Sequence, residues 1–165
     1  MIGNPTPDLT YGFSASANYK GFDVGVDFQG VYGNEIWRSF GNGNSFAQFN
    51  YREDRLARWT APGTSNWEPR VGDFAINKVN STYMIEDGSY IRLRNIQLGY
   101  TFNTTLLAKA HITSLRIYVN GQNLKTWKNN SGFTPEAGGS ATAFGIDGGG
   151  YPIPAITTFG FNLTF

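Results

Sequence analysis

Tyr151-Pro-Ile-Pro-Ala-Ile-Thr-Thr-Phe-Gly-Phe-Asn-Leu-Thr-Phe165 closes the chain, and its pattern decides how the rest is read. From Ala155 onward one parity holds Ala155, Thr157, Phe159, Phe161, Leu163 and Phe165. The other holds Ile156, Thr158, Gly160, Asn162 and Thr164. A period of two is the signature of a strand, whose side chains alternate between two faces. One face is aromatic and aliphatic and the other is small or polar. A half-buried soluble sheet shows this pattern. So does a transmembrane β-barrel, with its apolar face on lipid and its polar face on the lumen.

The same alternation recurs near the start of the chain. Leu9, Tyr11, Phe13, Ala15, Ala17 and Tyr19 alternate with Thr10, Gly12, Ser14, Ser16 and Asn18. Lys20-Gly21 then makes a two-residue turn. Beyond it Phe22, Val24, Val26, Phe28, Gly30 and Tyr32 alternate with Asp23, Gly25, Asp27, Gln29 and Val31. The pattern predicts a β-hairpin with strands over 9–19 and 22–32. Strands of about 11 residues exceed the usual 5–6 of soluble sheets and suit a tilted crossing of a bilayer. Three more strands are expected over 89–102, 113–124 and 153–165. The connections then alternate in length, from Lys20–Gly21 to Gly33–Gly88, Asn103–Ile112 and Lys125–Gly150. Gly33–Gly88 shows no strand period, and only one short helix is expected in it, over Phe49–Trp59. A helical turn at Leu106–Ala110 is also expected. Short turns on one side and long loops on the other are typical of outer-membrane barrels.

Composition agrees. Charged residues make up 15% of the chain and aromatics 16%, with 21 glycines. The usual charged share of a soluble domain is about 25%. A net charge of +1 gives no basic face for nucleic acid. The absence of cysteine excludes disulfides and cysteine-held metals. No run of about 20 apolar residues offers a transmembrane helix. A mean hydropathy of -0.32 is compatible with a barrel, whose lumen and loops are polar. Met1-Ile-Gly-Asn-Pro lacks the charged start and apolar core of a signal peptide, so a longer exported protein is the expectation.

Charge placement follows the strands. On the apolar parity of each strand's central part there is no Asp, Glu, Lys or Arg, whereas Asp23, Asp27 and Arg116 fall on the other. A charge facing lipid at mid-bilayer costs about 2–4 kcal/mol. Tyr90-Ile-Arg-Leu-Arg94 breaks phase and is expected above the bilayer, with Arg92 and Arg94 joining Asp23, Asp27 and Arg116 in lumen-facing networks. Phe159, Phe161, Leu163 and Phe165 are expected to act as the barrel assembly signal, since they end the chain on an in-phase aromatic.

Several stretches, taken together and in order, resemble the C-terminal end of the SusC/RagA-like TonB-dependent transporters. They are Asn4-Pro-Thr-Pro-Asp-Leu-Thr-Tyr-Gly-Phe13, Tyr19-Lys-Gly-Phe-Asp23, Arg58-Trp-Thr60 and Ile85-Glu-Asp-Gly-Ser-Tyr-Ile-Arg-Leu-Arg-Asn-Ile-Gln-Leu-Gly-Tyr100. Leu115-Arg-Ile-Tyr-Val-Asn-Gly-Gln-Asn-Leu124, Gly132-Phe-Thr-Pro-Glu136 and Tyr151-Pro152 complete the set. Thr134 stands where the family often has Asp. The resemblance implies the last five strands of a 22-stranded barrel in the outer membrane of a Gram-negative bacterium. It also implies import of oligosaccharides or peptides, energy from a TonB complex and a SusD-like lipoprotein lid. The plug domain and the TonB-contacting part would lie outside this chain.

No catalytic constellation is present. His111, the sole histidine, reads as a solvated turn residue, with no Ser–His–Asp set or metal spacing around it. The Gly-rich runs at Gly41–Gly43 and Gly148–Gly150 lack the context of a phosphate loop. Glu35, Glu53, Asp54, Glu68, Asp73, Glu86, Asp87 and Asp147 read as solvated loop acids, with loop calcium the minor alternative and no cofactor expected. Trp37, Trp59, Trp67, Tyr83 and Trp127 are expected in the long loops, either packing them together or contacting substrate or lid. The rival reading is a soluble carbohydrate-binding β-sandwich, which requires further strands within Gly33–Gly88.

Overall fold

The computed structural model describes residues 2–39, 53–70, 79–103, 111–138 and 141–165. Five strands build the main sheet: β1 (Leu9–Tyr19), β2 (Phe22–Tyr32), β5 (Tyr90–Thr101), β6 (Ser114–Lys128) and β8 (Ile156–Thr164). They lie in the order β1-β2-β5-β6-β8, and every neighbouring pair is antiparallel. A second, three-stranded sheet contains β3 (Glu35–Arg38), β4 (Ile85–Asp87) and β7 (Ile146–Asp147), in the order β4-β3-β7.

Local chemistry sets the hairpin. Lys20 and Gly21 both adopt positive φ, 47° and 88°, as a two-residue I′ turn demands. That turn fixes Tyr19 opposite Phe22, and the pairing continues to Leu9 opposite Tyr32. Directly opposed residues share a face. Tyr19 with Phe22, Ala17 with Val24, Ala15 with Val26 and Phe13 with Phe28 therefore line one apolar face. Ser14 with Asp27 and Asn18 with Asp23 line the polar one. The division passes across the sheet through Val24, Leu98, Val119 and Phe159 on the apolar side.

The phase break at Arg94 has a structural cause. Asp27 pairs with Asn95, but the next residue, Phe28, pairs with Leu93, so Arg94 is an extra residue in β5. Across the same level in β6, Asn123 and Leu124 are skipped between the Asn95–Gln122 and Leu93–Lys125 pairs. Asn123 takes a φ of 53°, a conformation asparagine tolerates better than most residues. Two opposed bulges thus restore the alternation rather than end the strands.

The bulges correct one boundary. β6 continues to Lys128 instead of ending at Leu124, so Trp127 lies in a strand and not in a loop. Trp127 pairs with Ile91 on the apolar side, and Lys125 pairs with Leu93. The charge-free apolar face therefore holds as far as the bulge, and a lysine stands at its loop-side rim. Such a side chain can run its stem along apolar surface and keep its ammonium in water.

Gly33–Gly88 also differs from expectation, because it contains β3 and β4. They are too short to display a period, and β3 finds its parallel partner β7 more than a hundred residues later. Glu53–Ala57 forms a 3-10 turn within the expected helix, while 49–52 lie outside the described residues, as does Leu106–Ala110. The strands β3 and β4 are only four and three residues long and leave the apolar face of the main sheet exposed, so they do not supply the second layer of a sandwich.

Burial separates the two sheets. The buried hydrophobic side chains among the described residues are Ile36, Met84 and Tyr90. Ile36 and Met84 belong to the small sheet and its approach, which we call the cap. The main sheet leaves Phe13, Phe22, Leu98, Ile117, Phe159 and Phe161 exposed on its apolar face. A soluble domain does not leave so large a continuous apolar surface uncovered. Eleven residues at about 3.3 Å each, tilted about 45°, cover roughly 25 Å, the height of a barrel's lipid-facing band.

Candidate functional site

The polar face of the main sheet carries a connected set of side chains. Nearest the short turns, Arg116 of β6 donates from Nε to Asp23 Oδ1 at 2.9 Å and from Nη2 to Asp23 Oδ2 at 2.6 Å. This bidentate pair reaches from β2 to β6 across β5, and Gly99 lies beneath it. A Cβ at Gly99 would stand 2.4 Å from Asp23 Oδ1 and 2.6 Å from Arg116 Nη2. Arg116 also lies over the Tyr118 ring, 5.0 Å from its centroid. The missing side chain at position 99 is what lets the fork close.

One level up, Asn95 donates to Asp27 Oδ2 at 3.1 Å and accepts from Asn120 Nδ2 at 2.6 Å. Above that, Arg94 Nη1 donates to Gln29 Oε1 at 2.9 Å. Arg92 is buried, with Nε donating to Thr126 Oγ1 at 2.9 Å and Nη1 to Glu136 Oε1 at 2.8 Å. The Tyr90 hydroxyl donates to the same Glu136 oxygen at 3.0 Å. Asp23, Asp27, Arg92, Arg94 and Arg116 thus form ladders across the polar face of the sheet rather than standing as isolated charges.

Glu136, Tyr90 and Gln29 complete the upper cluster and are not identified as site residues by sequence. Gln29 shares the parity of Asp23 and Asp27, which is a usable signal. Glu136 lies 44 residues from Arg92, and nothing in its surroundings announces that pairing.

The loop aromatics meet different fates. Trp37 sits in β3, and its indole N–H points at Met84 Sδ, 3.3 Å away. It also lines a cavity of about 340 Å³ with Ile85, Phe144 and Ile146. Tyr83 donates to both Glu68 carboxylate oxygens at 3.0 and 2.9 Å, with Arg38 5.4 Å above its ring. Trp67 stacks 5.6 Å from Tyr83 and remains 68% exposed. Trp59 is half-buried, and its backbone N–H bonds to Glu68 O at 2.9 Å. Trp37, Trp59 and Tyr83 thus engage neighbouring protein groups, whereas Trp67 is the most open ring. Trp127 belongs to the outer face of the wall instead.

Phe159, Phe161 and Leu163 face the apolar side of β8, opposite Val119, Ile117 and Leu115, and Phe165 follows β8 at 83% exposure. Several of the loop acids are engaged by protein groups. Glu86 receives Ser131 Oγ at 2.6 Å and pairs with Arg38 at 3.2 Å, while Asp147 receives the Gly149 N–H at 2.8 Å. Glu35 receives the Asn4 N–H at 2.7 Å. Among the described residues no three acidic or histidine side chains gather as a metal site. Asp73 and the side chain of Asp54 lie outside the described residues. His111 is exposed, in a turn with φ of 57°.

A single-layer antiparallel sheet with an apolar outer face and a charged, laddered inner face defines the chain as a segment of a transmembrane β-barrel. It is homologous along its whole length to part of the SusC/RagA-like TonB-dependent receptors. TonB-dependent receptor P3 of Formosa agariphila is 35% identical over 100% of this chain and 17% of its own length. TonB-dependent receptor SusC of Bacteroides thetaiotaomicron is 24% identical over 98% of the chain and 15% of its own. A solved structure of the RagAB peptide transporter superposes with a TM-score of 0.83 and 29% identity, over 100% of this chain and 18% of that one. No protein-family model matches the chain. The chain spans about one sixth of the length of these relatives.

Proposed function

We propose that this chain forms one wall and two outer loops of an outer-membrane active transporter that imports oligosaccharides or peptides. In this reading TonB supplies the energy through a part of the protein outside this chain, a plug fills the lumen, and a SusD-like lipoprotein closes over the long loops. The observation that carries it is the division of the main sheet, with exposed apolar rings on one face and charge ladders on the other. Five strands leave two open edges, which lipid does not tolerate, so the remainder of the barrel must pair with β1 and β8. The relatives' names support the import reading. The expected work is passage without bond cleavage.

The test uses the full-length receptor in its native membrane, with residues 41–48 removed from the loop between β2 and β5. Loops tolerate such deletions better than strands do. The expected result is a folded, detergent-extracted barrel with reduced substrate uptake or reduced co-purification of the lid. Normal uptake together with normal lid binding removes the role of this loop. Substrate turnover by the purified protein overturns the transporter reading.

A further inference from the structure

The upper end of the inner wall is built as a receptor for a carboxylate. Three donors from two strands converge on one oxygen, Glu136 Oε1. They are Arg92 Nη1 at 2.8 Å, the Tyr90 hydroxyl at 3.0 Å and Gln29 Nε2 at 3.5 Å. The donors sit on paired strands, and Arg92 is held from its other side by Thr126. The acceptor, by contrast, comes from the loop after β6, and its side chain is 37% exposed against 4% for Arg92. The cationic half of the contact is buried, and the carboxylate half is the more exposed one.

Beside this contact lies an open, polar cavity of about 470 Å³. Gln29, Arg94, Asn95, Gln122 and Asn123 line it together with Arg92 and Glu136. The opposed bulges create it, because Arg94 and Asn123 are the residues they insert. Arg94 is exposed in that space, bonded through Nη1 to Gln29. The cavity has the volume of a small-molecule site.

Energetics make the contact selective. If Glu136 swings out and nothing replaces it, Arg92 becomes a buried cation without its partner, which is strongly unfavourable. Replacing Glu136 by another carboxylate keeps every donor satisfied. A neutral ligand cannot make that exchange.

We propose that Glu136 holds the place of a ligand carboxylate, and that a carboxylate-bearing oligomer displaces it and occupies the Arg92–Tyr90–Arg94 subsite. This rests on the transporter reading and narrows its substrate class. The carboxylate belongs either to an acidic sugar or to a peptide, and the chemistry of the subsite is the same for both.

The test measures binding to the full-length receptor in detergent with four probes. They are trigalacturonate, galactotriose, a tripeptide with a free C-terminal carboxylate and the same tripeptide amidated. At least one acidic probe is expected to bind about tenfold tighter than its neutral counterpart, and which one does so identifies the source of the carboxylate. Glu136→Gln, which weakens the internal competitor, is expected to tighten the acidic probe about tenfold and leave the neutral probe unchanged. Arg94→Gln, a change at an exposed side chain, is expected to weaken the acidic probe several-fold even where Glu136→Gln fails to fold. Equal affinities within each acidic–neutral pair, or an acidic affinity unmoved by both substitutions, overturn the proposal and leave the transporter reading standing. Binding of none of the four probes also overturns the proposal, while the transporter reading stands or falls by the uptake experiment.

Discussion

The main sheet and the cap are made from the same chain by opposite means. The main sheet has long strands, a register broken only at the opposed bulges and almost no interior. Its apolar side chains point away from the protein, and its charges pair along the other face. The cap has strands of two to four residues, yet it encloses Ile36 at 2% and Met84 at 3% exposure. It also buries Arg38 and Asp147, ties Arg38 to Glu86, and tethers Ser39 to Asp147 O through both its N–H and its hydroxyl. The difference shows where each region finds its stabilising surroundings. The cap is a small folded body with its own core. The sheet leaves its apolar face and its edge strands, β1 and β8, uncovered among the described residues.

A charge test breaks this contrast most directly. Leu98→Arg puts a cation at the middle of the apolar face and is expected to cost about 2–4 kcal/mol in the bilayer. Gln97→Arg, one residue away on the polar face, is expected to cost under about 1 kcal/mol. Urea titration of the full-length receptor in lipid vesicles, followed by heat-modifiable migration, measures both. Equal costs would mean that the two faces meet the same solvent.

The cap has its own counterpart. Ile36→Ala removes its most buried side chain and is expected to cost the cap about 2–4 kcal/mol. Because the cap and sheet are separate bodies of contacts, the loss is expected to stay local. Limited proteolysis should speed up near 33–39 and 79–88 while the barrel's resistance to urea is unchanged. A parallel loss in the barrel would show that the two regions fold as one unit.

Within the sheet, Gly99→Val tests whether the inner ladder stabilises the wall. The added side chain occupies the space of the Asp23–Arg116 fork, and the expected cost is about 1–3 kcal/mol. Gly25→Val is the control, since no atom lies within 4 Å of a Cβ at that position. The two variants measured side by side separate loss of the ion pair from any general effect of filling a glycine.

The same contrast explains what the sequence discloses. The hairpin at Leu9–Tyr32 is legible because alternation and a Lys-Gly turn both encode local geometry. The face assignment of Asp23, Asp27 and Arg116 is legible for the same reason. Arg94 is ambiguous, because a bulge breaks the period at one residue and resumes it at the next. Ending β6 at Leu124, beside the irregularity at Asn123, misplaces Trp127. The cap is nearly illegible, since its strands are short and its pairings are distant. Glu136 shows the limit most clearly, because its importance lies in meeting Arg92 and Tyr90, whose positions only the folded wall provides.

The smallest expected effect is a pH response confined to the cap. Asp87, in β4, accepts from the Ser89 N–H at 2.8 Å and from Asn129 Nδ2 at 3.0 Å. Burial pushes its carboxyl up, but the hydrogen bonds from Ser89 and Asn129 outweigh that and hold it below the ordinary value of 3.8. A carboxylate whose folded value is depressed stabilises the fold above its unfolded value and loses that contribution as pH falls through the folded one. The tie between β4 and the loop after β6 should therefore be intact at neutral pH and at pH 5, and should loosen only below about pH 4. Hydrogen exchange at the Ser89 amide, followed from pH 6 to pH 3, reads this at the bond itself after correction for the intrinsic exchange rate. Asp87→Asn should flatten the response in that window while exchange in β1 and β2 stays as it was. A response of equal size in the hairpin would place the titrating group in the wall and not in the cap.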